Sequence, residues 1–318
     1  MLATRKETLE RLRCPKTGER LTRVAKDKVA AAAGRCEYPV LNDVPVVIDF
    51  ENSVLDEVET RARAAESMVV RADYANPALR FVKGLLSPEK KATQRNVSRL
   101  IDDLEAKAAA TGREVSALIV GGGSVGQGMA PLYDHPSIKV FSFDIYASDL
   151  VQFVGDAHHI PAADGAFDAV VVQAVLEHVL APDRAASEIW RVLKDDGLVY
   201  AETPFMQQVH EGPYDFTRFT ESGHRYLFRW FERLGSGTTG GPGLQLMWST
   251  DYFFRSVFRS RMAGKIAKLA VFWTQYLDRL APERYAVDGA CGVFFYGRKS
   301  DRAISPREAV AHYRGAQR

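Results

Sequence analysis

The stretch SALIVGGGSVGQGMAPLY, residues 116–133, runs from apolar residues directly into a glycine cluster. Gly121, Gly123 and Gly126 spell G-x-G-x-x-G, a spacing that lets the backbone turn tightly and pass close beneath a bound nucleotide. The same letters suit two cofactors. One is a nicotinamide dinucleotide; the other is S-adenosylmethionine, with glycines passing under its nucleoside and methionine parts. Asp144 ends the next apolar run, where the ribose hydroxyls of either cofactor would want a carboxylate acceptor. A second cluster, ETPFMQQVHEGPYDFTRFTESG at 202–223, has the densest mix of polar, aromatic and charged residues in the chain. His210 is its one imidazole and its natural general base.

These residues need a scaffold, and the pattern from residue 113 onward supplies one. The apolar runs SALIV, IKVFSFD, VQFVGD, FDAVVVQ and GLVYAET alternate with helix-like segments such as PDRAASEIWRVLK and TESGHRYLFRWFE. Short buried runs separated by helices predict an α/β fold, a Rossmann-like doubly wound and mainly parallel sheet. Ligands in such sheets bind beyond the carboxyl ends of the strands. The core domain is expected over 113–300, with RLGSGTTG and CGVFFYGRK as its last two strands and a helical insertion at 245–288 between them. Residues 53–112 read as a helical segment with breaks at YANPALRF and LLSPEKK. In its last part, Val97, Leu100, Ile101 and Leu104 form an apolar stripe suited to covering the sheet. Residues 1–52 read as a separate small β-rich module, and 301–318 as a loose polar tail.

Composition sets bounds. The chain has 318 residues, 46% of them hydrophobic and 26% charged, enough for one large core and an appendage. A formal net charge of +2 gives no strong nucleic-acid signal. Three scattered cysteines favour a reducing compartment, no apolar run reaches a membrane span, and the N-terminus lacks the apolar region of a signal peptide. A cytoplasmic protein is expected.

The downstream sequence separates the two cofactors. VGDAHHIPAADGAFDAVVVQAVLEHVLAPDRAASEIWRVLKDDGLVYAETPF resembles the type-11 methyltransferase domain of class I S-adenosylmethionine enzymes. The landmarks are Gly-Asp-Ala, a Pro step, the Phe-Asp strand entry, Glu-His after the next strand, and Leu-Lys-x-x-Gly before the fifth. The resemblance implies S-adenosyl-L-methionine as cofactor, held by Gly121, Gly122, Gly123, Asp144, Ile145, Asp156, Ala157 and Gln173. In it Asp156 and Ala157 hold the adenine, Asp144 the ribose, and Gln173 passes beside the methionine part. Ile119 departs from the family, which usually carries an acidic residue two positions before the first loop glycine; Val125 replaces the usual third glycine. His158 and His159 are expected to be solvated or to line the adenine pocket. Glu177 and His178 are expected early in a helix, Glu177 at the positive end of its dipole and His178 on the substrate side.

The resemblance also implies that residues just after the fourth and fifth strands face the sulfonium. Catalytic roles then fall to His210, Tyr214 and Asp215, and substrate binding to Arg218 and His178. The expected activity is O-methylation of a small molecule or glycan precursor. The alternatives are methylation of RNA or a translation protein, and a non-catalytic binding partner; a nicotinamide oxidoreductase has only the glycine loop in its favour. The first fifty residues are similar to a zinc-ribbon module in Cys14-Pro15 and YPVLNDVPVV, but Thr17 stands in place of the second knuckle cysteine. Cys36 could belong to a second pair. With too few ligands for a structural zinc site, no metal is expected. Between 252 and 280, Phe254, Phe258, Met262, Ile266, Leu269, Trp273, Tyr276 and Leu280 recur at helical spacing among six basic residues. A buried or dimer-forming helical pair is expected there, with peripheral membrane contact as the other reading. Gly264 is expected to split the helix.

Overall fold

The computed structural model describes residues 1–32, 34–65 and 91–317. Its centre is a seven-stranded sheet in the order β10-β11-β9-β8-β5-β6-β7. The strands are β5 (Val115–Val120), β6 (Ile138–Asp144), β7 (Phe153–Val154), β8 (Phe167–Gln173), β9 (Leu193–Pro204), β10 (Phe231–Gly240) and β11 (Gly292–Lys299). β5 to β9 pair in parallel, whereas β11 is antiparallel to both β9 and β10. Every residue of β5 is buried, as are the first six of β8. Continuous apolar runs are what a sheet covered on both faces requires. The expected mainly parallel α/β fold is present.

Helices cover the sheet. α3 (Lys91–Thr111) lays Val97, Leu100 and Leu104 into a core shared with Ala117, Ile119, Tyr200 and Tyr296. Earlier elements are α1 (Arg5–Arg11) and α2 (Glu57–Ala65); later ones are α4 (Ala130–Asp134), α5 (Pro182–Val192) and α6 (Glu221–Leu227). The breaks expected at YANPALRF and around Pro88 lie outside the described residues.

The N-terminal strands β1 (Leu21–Ala25), β2 (Lys28–Ala31), β3 (Glu37–Leu41) and β4 (Val44–Pro45) form an antiparallel sheet of their own. That sheet is joined to the main one. Leu2 bridges Val140 of β6, Val46 bridges Val154 of β7, and the Val47 N–H donates to the Val154 carbonyl at 2.8 Å. The N-terminal chain thereby covers the β6–β7 edge, a strand edge that would otherwise be open to foreign pairing. Leu21, Val29, Tyr38 and Val47 share one core with Phe141, Phe143 and Phe153. Arg11 reaches under the sheet, its guanidinium 4.4 Å from the Phe141 ring centre. Cys14 is buried with its Sγ 3.2 Å from the Tyr38 hydroxyl, and among the described residues neither it nor Cys36 belongs to any group of three potential metal ligands.

Between β10 and β11 lie α7 (Pro242–Val257), α8 (Arg261–Ala270) and short helical turns at Thr274–Leu277 and Glu283–Ala286. Two expectations change here. α8 runs unbroken through Gly264, and the chain breaks instead at Arg259 (φ 49°), with Ser260 capping α8. A Cβ at Gly264 would collide with the Asp251 backbone carbonyl, so the glycine lets α8 lie close against α7. The apolar stripe, moreover, is not buried in the chain's own core: Phe258, Met262 and Ile266 are each more than 60% exposed. The tail is also more ordered than expected. A helix at Pro306–Ala311 has a Ser305–Glu308 capping box, and His312 pairs with Glu221 at 2.8 Å. No described helix is long and apolar enough to cross a membrane.

The shared core makes a direct prediction. Phe153 is 1% exposed and stacks on Phe143 at 5.1 Å between ring centres. Phe153→Ala should cost about 3–5 kcal/mol, and amide-exchange protection in β2 and β3 should fall together with that in β6. Protection in β2 and β3 that stays unchanged would contradict a common core.

Candidate active site

The parallel strands end at one level. Val120 of β5 stands opposite Phe143 and Val172, and Gln173 of β8 stands opposite Glu202 of β9. The residues at and just beyond these ends form the site. Gly121 turns off β5 with φ 74°, and the N–H groups of Gly121 and Gly122 both donate to the Phe143 carbonyl. Only glycine adopts this turn without strain, and a Cβ there would also collide with Val175. At Gly122, Gly123 and Gly126 a Cβ would meet Ser142, Tyr146 and Gln173, so the loop lies tight against its neighbours.

Asp144 ends β6 beneath the loop. Its Oδ2 accepts from the Gly123 N–H at 2.8 Å and its Oδ1 from the Ile145 N–H at 2.7 Å. Burial pushes its pKa up to about 6, with those two bonds opposing the rise. The Ile145 side chain is 36% exposed beside it. Asp156 is differently engaged. Oδ1 accepts from the backbone N–H of His158 and lies 2.6 Å from its Nδ1, while Oδ2 accepts from Ser53. Burial raises the Asp156 pKa less than the His158 and Ser53 bonds lower it, so the carboxyl sits below its ordinary value. His158 is thus not solvated: its Nε2 accepts from the Ala181 N–H at 3.1 Å, which leaves Nδ1–H to donate to Asp156. Ala157 is buried in the core beside it, and His159 lies 3.1 Å from Arg184. Ile119 is buried among apolar residues and brings no carboxylate.

On the other side of the strand ends, Gln173 donates to Glu202 at 2.9 Å and to the Gln127 carbonyl at 3.4 Å. The next residue, Ala174, is left-handed (φ 54°), an unusual conformation for a residue with a Cβ. This sharp turn drives Val175 against Gly121 and leads into a 3-10 turn, Leu176–His178, rather than the helix expected there. Glu177 is therefore not at a helix end but fully buried, and its carbonyl accepts from Phe216 and Thr217.

The loop after β9 crosses this turn and brings the sequence-predicted residues together. His178 Nδ1 donates to the Tyr214 carbonyl at 2.7 Å, so Tyr214 acts here through its backbone. The His178 and His210 rings meet edge to face, with centres 4.9 Å apart. Both Nε2 atoms point at Glu177 Oε1, at 3.7 and 3.9 Å. Asp215 accepts from the His210 backbone N–H at 2.9 Å and faces its Nδ1 at 3.3 Å. Burial of Asp215 is outweighed by its bonds from Arg218 and His210, which hold the carboxyl well below the usual range. Arg218 differs from expectation. Nε donates to Gln207 O, and the two terminal nitrogens bond Asp215, Thr217 O and Gln208 O, which uses all five of its N–H donors. Arg218 braces the loop and keeps no donor for a substrate.

α7 holds the loop from outside. Tyr252 donates to the Val209 carbonyl at 2.8 Å, and Gln208 donates to Ser249 at 3.1 Å. Between loop, α7 and the ends of β10 and β11 lies a cavity of about 1060 Å³. Glu177, Glu202, His210, Gln207, Trp248 and Tyr252 are among its walls, and it reaches the glycine loop at Gln127. Sequence reasoning passed over Glu202, Trp248 and Tyr252. Glu202 carried a signal, since it ends the fifth strand where ligand groups are expected; the other two lie on a helix whose packing no local pattern reveals.

Comparisons with known proteins fit this geometry. Residues 118–201 match the family model described as a methyltransferase domain, of type 11. No curated protein matches the chain. Among solved structures, a protein from Galdieria sulphuraria described as a candidate sarcosine dimethylglycine methyltransferase is 17% identical, covering 71% of this chain and 99% of its own, with a TM-score of 0.40. A phosphoethanolamine N-methyltransferase 2 from Haemonchus contortus is 16% identical, with 59% and 49% covered and a TM-score of 0.39. The 1,6-didemethyltoxoflavin-N1-methyltransferase of Burkholderia thailandensis is 14% identical, with 88% and 99% covered and a TM-score of 0.38. Likenesses of this size say nothing of the substrate. The glycine loop and the acid ending β6 both lie within residues 118–201, the segment that matches the methyltransferase-domain model and carries this chain's S-adenosylmethionine-dependent methyltransferase features.

Proposed function

We propose that this methyltransferase transfers its methyl group to an oxygen of a polar small molecule or glycan precursor bound in the cavity beside Glu177 and His210. The observation that carries the reading is that Glu177 and His210 stand together on the cavity wall, with His178 packed against them, next to the strand ends that carry the cofactor loop. Methyl transfer needs the nucleophile held in line, and a hydroxyl also needs help losing its proton. An imidazole beside a carboxylate on the cavity wall suits that need. Trp248 and Tyr252 offer faces for an apolar part of the acceptor, and Gln207 and Glu202 offer hydrogen bonds. Lys91, Arg95 and Arg279 line the cavity together with Asp251 and Glu283, a mix of signs that does not favour RNA.

S-adenosylmethionine supplies an electrophilic methyl group on sulfur. The chain's residues fit that cofactor: the glycine loop keeps the backbone bare of side chains, and Asp144 presents a buried carboxylate to which ribose hydroxyls can donate. Asp156 would share Oδ2 between Ser53 and the adenine amine. Arg218 and Asp215 keep the loop closed over the 3-10 turn, and thereby fix His210.

Two predictions follow from these roles. S-adenosylhomocysteine should bind in calorimetry, NAD should not, and Asp144→Ala should weaken binding by about 1–3 kcal/mol. Because the hydroxyls favour the ionised carboxylate, whose pKa is raised to about 6 in the free protein, wild-type affinity should rise with pH up to about 6 and level off above it. Asp144→Asn should abolish that rise; the same pH dependence in Asp144→Asn would remove Asp144 from the ribose. On the acceptor side, His210→Ala should leave S-adenosylhomocysteine affinity intact and lower turnover about a hundredfold or more. Unchanged turnover would assign His210 to loop structure alone.

A further inference from the structure

We propose that Glu177, His178 and His210 form a binding site for a divalent first-row transition-metal ion, which was not expected from the sequence. One ligand atom from each residue lies within 4.8 Å of the others. The ring hydrogen-bonding sets the direction of the lone pairs. His178 Nδ1–H is spent on the Tyr214 carbonyl at 2.7 Å, and His210 Nδ1 faces the Gln208 carbonyl and the Asp215 carboxylate, each at 3.3 Å. That leaves the Nε2 lone pair of each ring on the side of Glu177 Oε1, at 3.7 and 3.9 Å. A carboxylate or carbonyl behind each imidazole is the arrangement that orients histidines on metals.

The distances argue the same way. At 3.7 and 3.9 Å, the Nε2 atoms are too far from Glu177 Oε1 for hydrogen bonds, and only a few tenths of an ångström beyond the roughly 3.4 Å between two tetrahedral ligands each about 2.0–2.2 Å from one ion. Two imidazoles and one carboxylate select Mn²⁺ through Zn²⁺ over Mg²⁺ or Ca²⁺, which prefer all-oxygen shells. Three protein ligands leave coordination positions open, and Glu177 and His210 both line the cavity. An oxygen of the acceptor would complete the shell from that side, and with the Nε2 lone pair of His210 spent on the ion, the cation rather than a free imidazole would ease loss of the hydroxyl proton. That role rests on the oxygen-transfer reading above, whereas the existence of the site does not.

The test is a titration of metal-free full-length protein with Co²⁺, followed by visible absorption, with S-adenosylhomocysteine calorimetry on the same samples. The expected result is one equivalent bound, with the d–d bands of a nitrogen and oxygen shell. Glu177→Gln and His210→Ala should each weaken Co²⁺ binding tenfold or more, of the order, while His135→Ala, outside the cluster, leaves it unchanged. Glu177 is buried, so His210→Ala on the half-exposed loop is the variant that keeps the fold. No binding, binding equal in both variants, or a thiolate charge-transfer band placing the ion at Cys14 and Cys36 would each overturn the proposal. S-adenosylhomocysteine that binds without Co²⁺ defeats the metal site alone. Co²⁺ that binds without S-adenosylhomocysteine defeats the methyl-transfer reading and leaves the metal site standing.

Discussion

The in-register hydrogen bonding of the parallel strands β5, β6, β8 and β9 is the constraint on which the rest depends. It brings Val120, Phe143 and Val172 to one level and sets Gln173 against Glu202. Everything with chemistry is hung from that line. A one-residue slip would send alternate side chains to the opposite face, withdrawing Asp144 from Gly123 and Gln173 from Glu202 together. The continuous burial of β5 and β8 makes such a slip expensive, because both faces of these strands are packed. Sheet burial and site geometry are thus the same property seen from two ends of the strands.

From that line the chain makes two unlike turns. After β5 a glycine takes the left-handed conformation at little cost; after β8 an alanine takes it, and the surrounding structure must hold it there. The Ala174 N–H bonds the Glu202 carbonyl, Val175 packs on Gly121, and Glu177 is carried into the interior. The strained turn links the cofactor side to the acceptor side. Burying the Glu177 carboxylate costs several kcal/mol unless positive charge or donors compensate. The loop at 205–219 is braced by Arg218 and tied to α7, and it brings His210 to His178 beside that carboxylate. The helical insertion therefore contributes to the site through the loop it anchors.

Much of this was legible in the residues. The alternation of apolar runs and helices carried the fold, because a buried parallel strand must be apolar along its length and its neighbours must cover it. The glycine loop and Asp144 were legible for a related reason: a tight turn under a ligand leaves few residue types free to stand there. Arg218 was misread as a substrate group because sequence shows a charge but not how many of its donors the loop consumes. Glu177 was misread through the assumption of a longer helix, where the left-handed Ala174 leads into a single 3-10 turn. The N-terminal residues read as a separate module because Leu2 and Val46, which bridge to Val140 and Val154, stand more than a hundred residues from those partners. The outward stripe of α7 and α8 has helical periodicity either way, and period alone does not say which side of a helix meets the core.

A crystal structure of the protein with S-adenosylhomocysteine and Mn²⁺ tests the central claim most directly, that the aligned strand ends place cofactor and acceptor chemistry on either side of Ala174. Ribose hydroxyls on the Asp144 carboxylate, the homocysteine sulfur directed toward the Glu177–His210 wall, and an anomalous peak among Glu177, His178 and His210 are expected. A nucleoside bound away from Asp144, or a sulfur directed away from that wall, would contradict it.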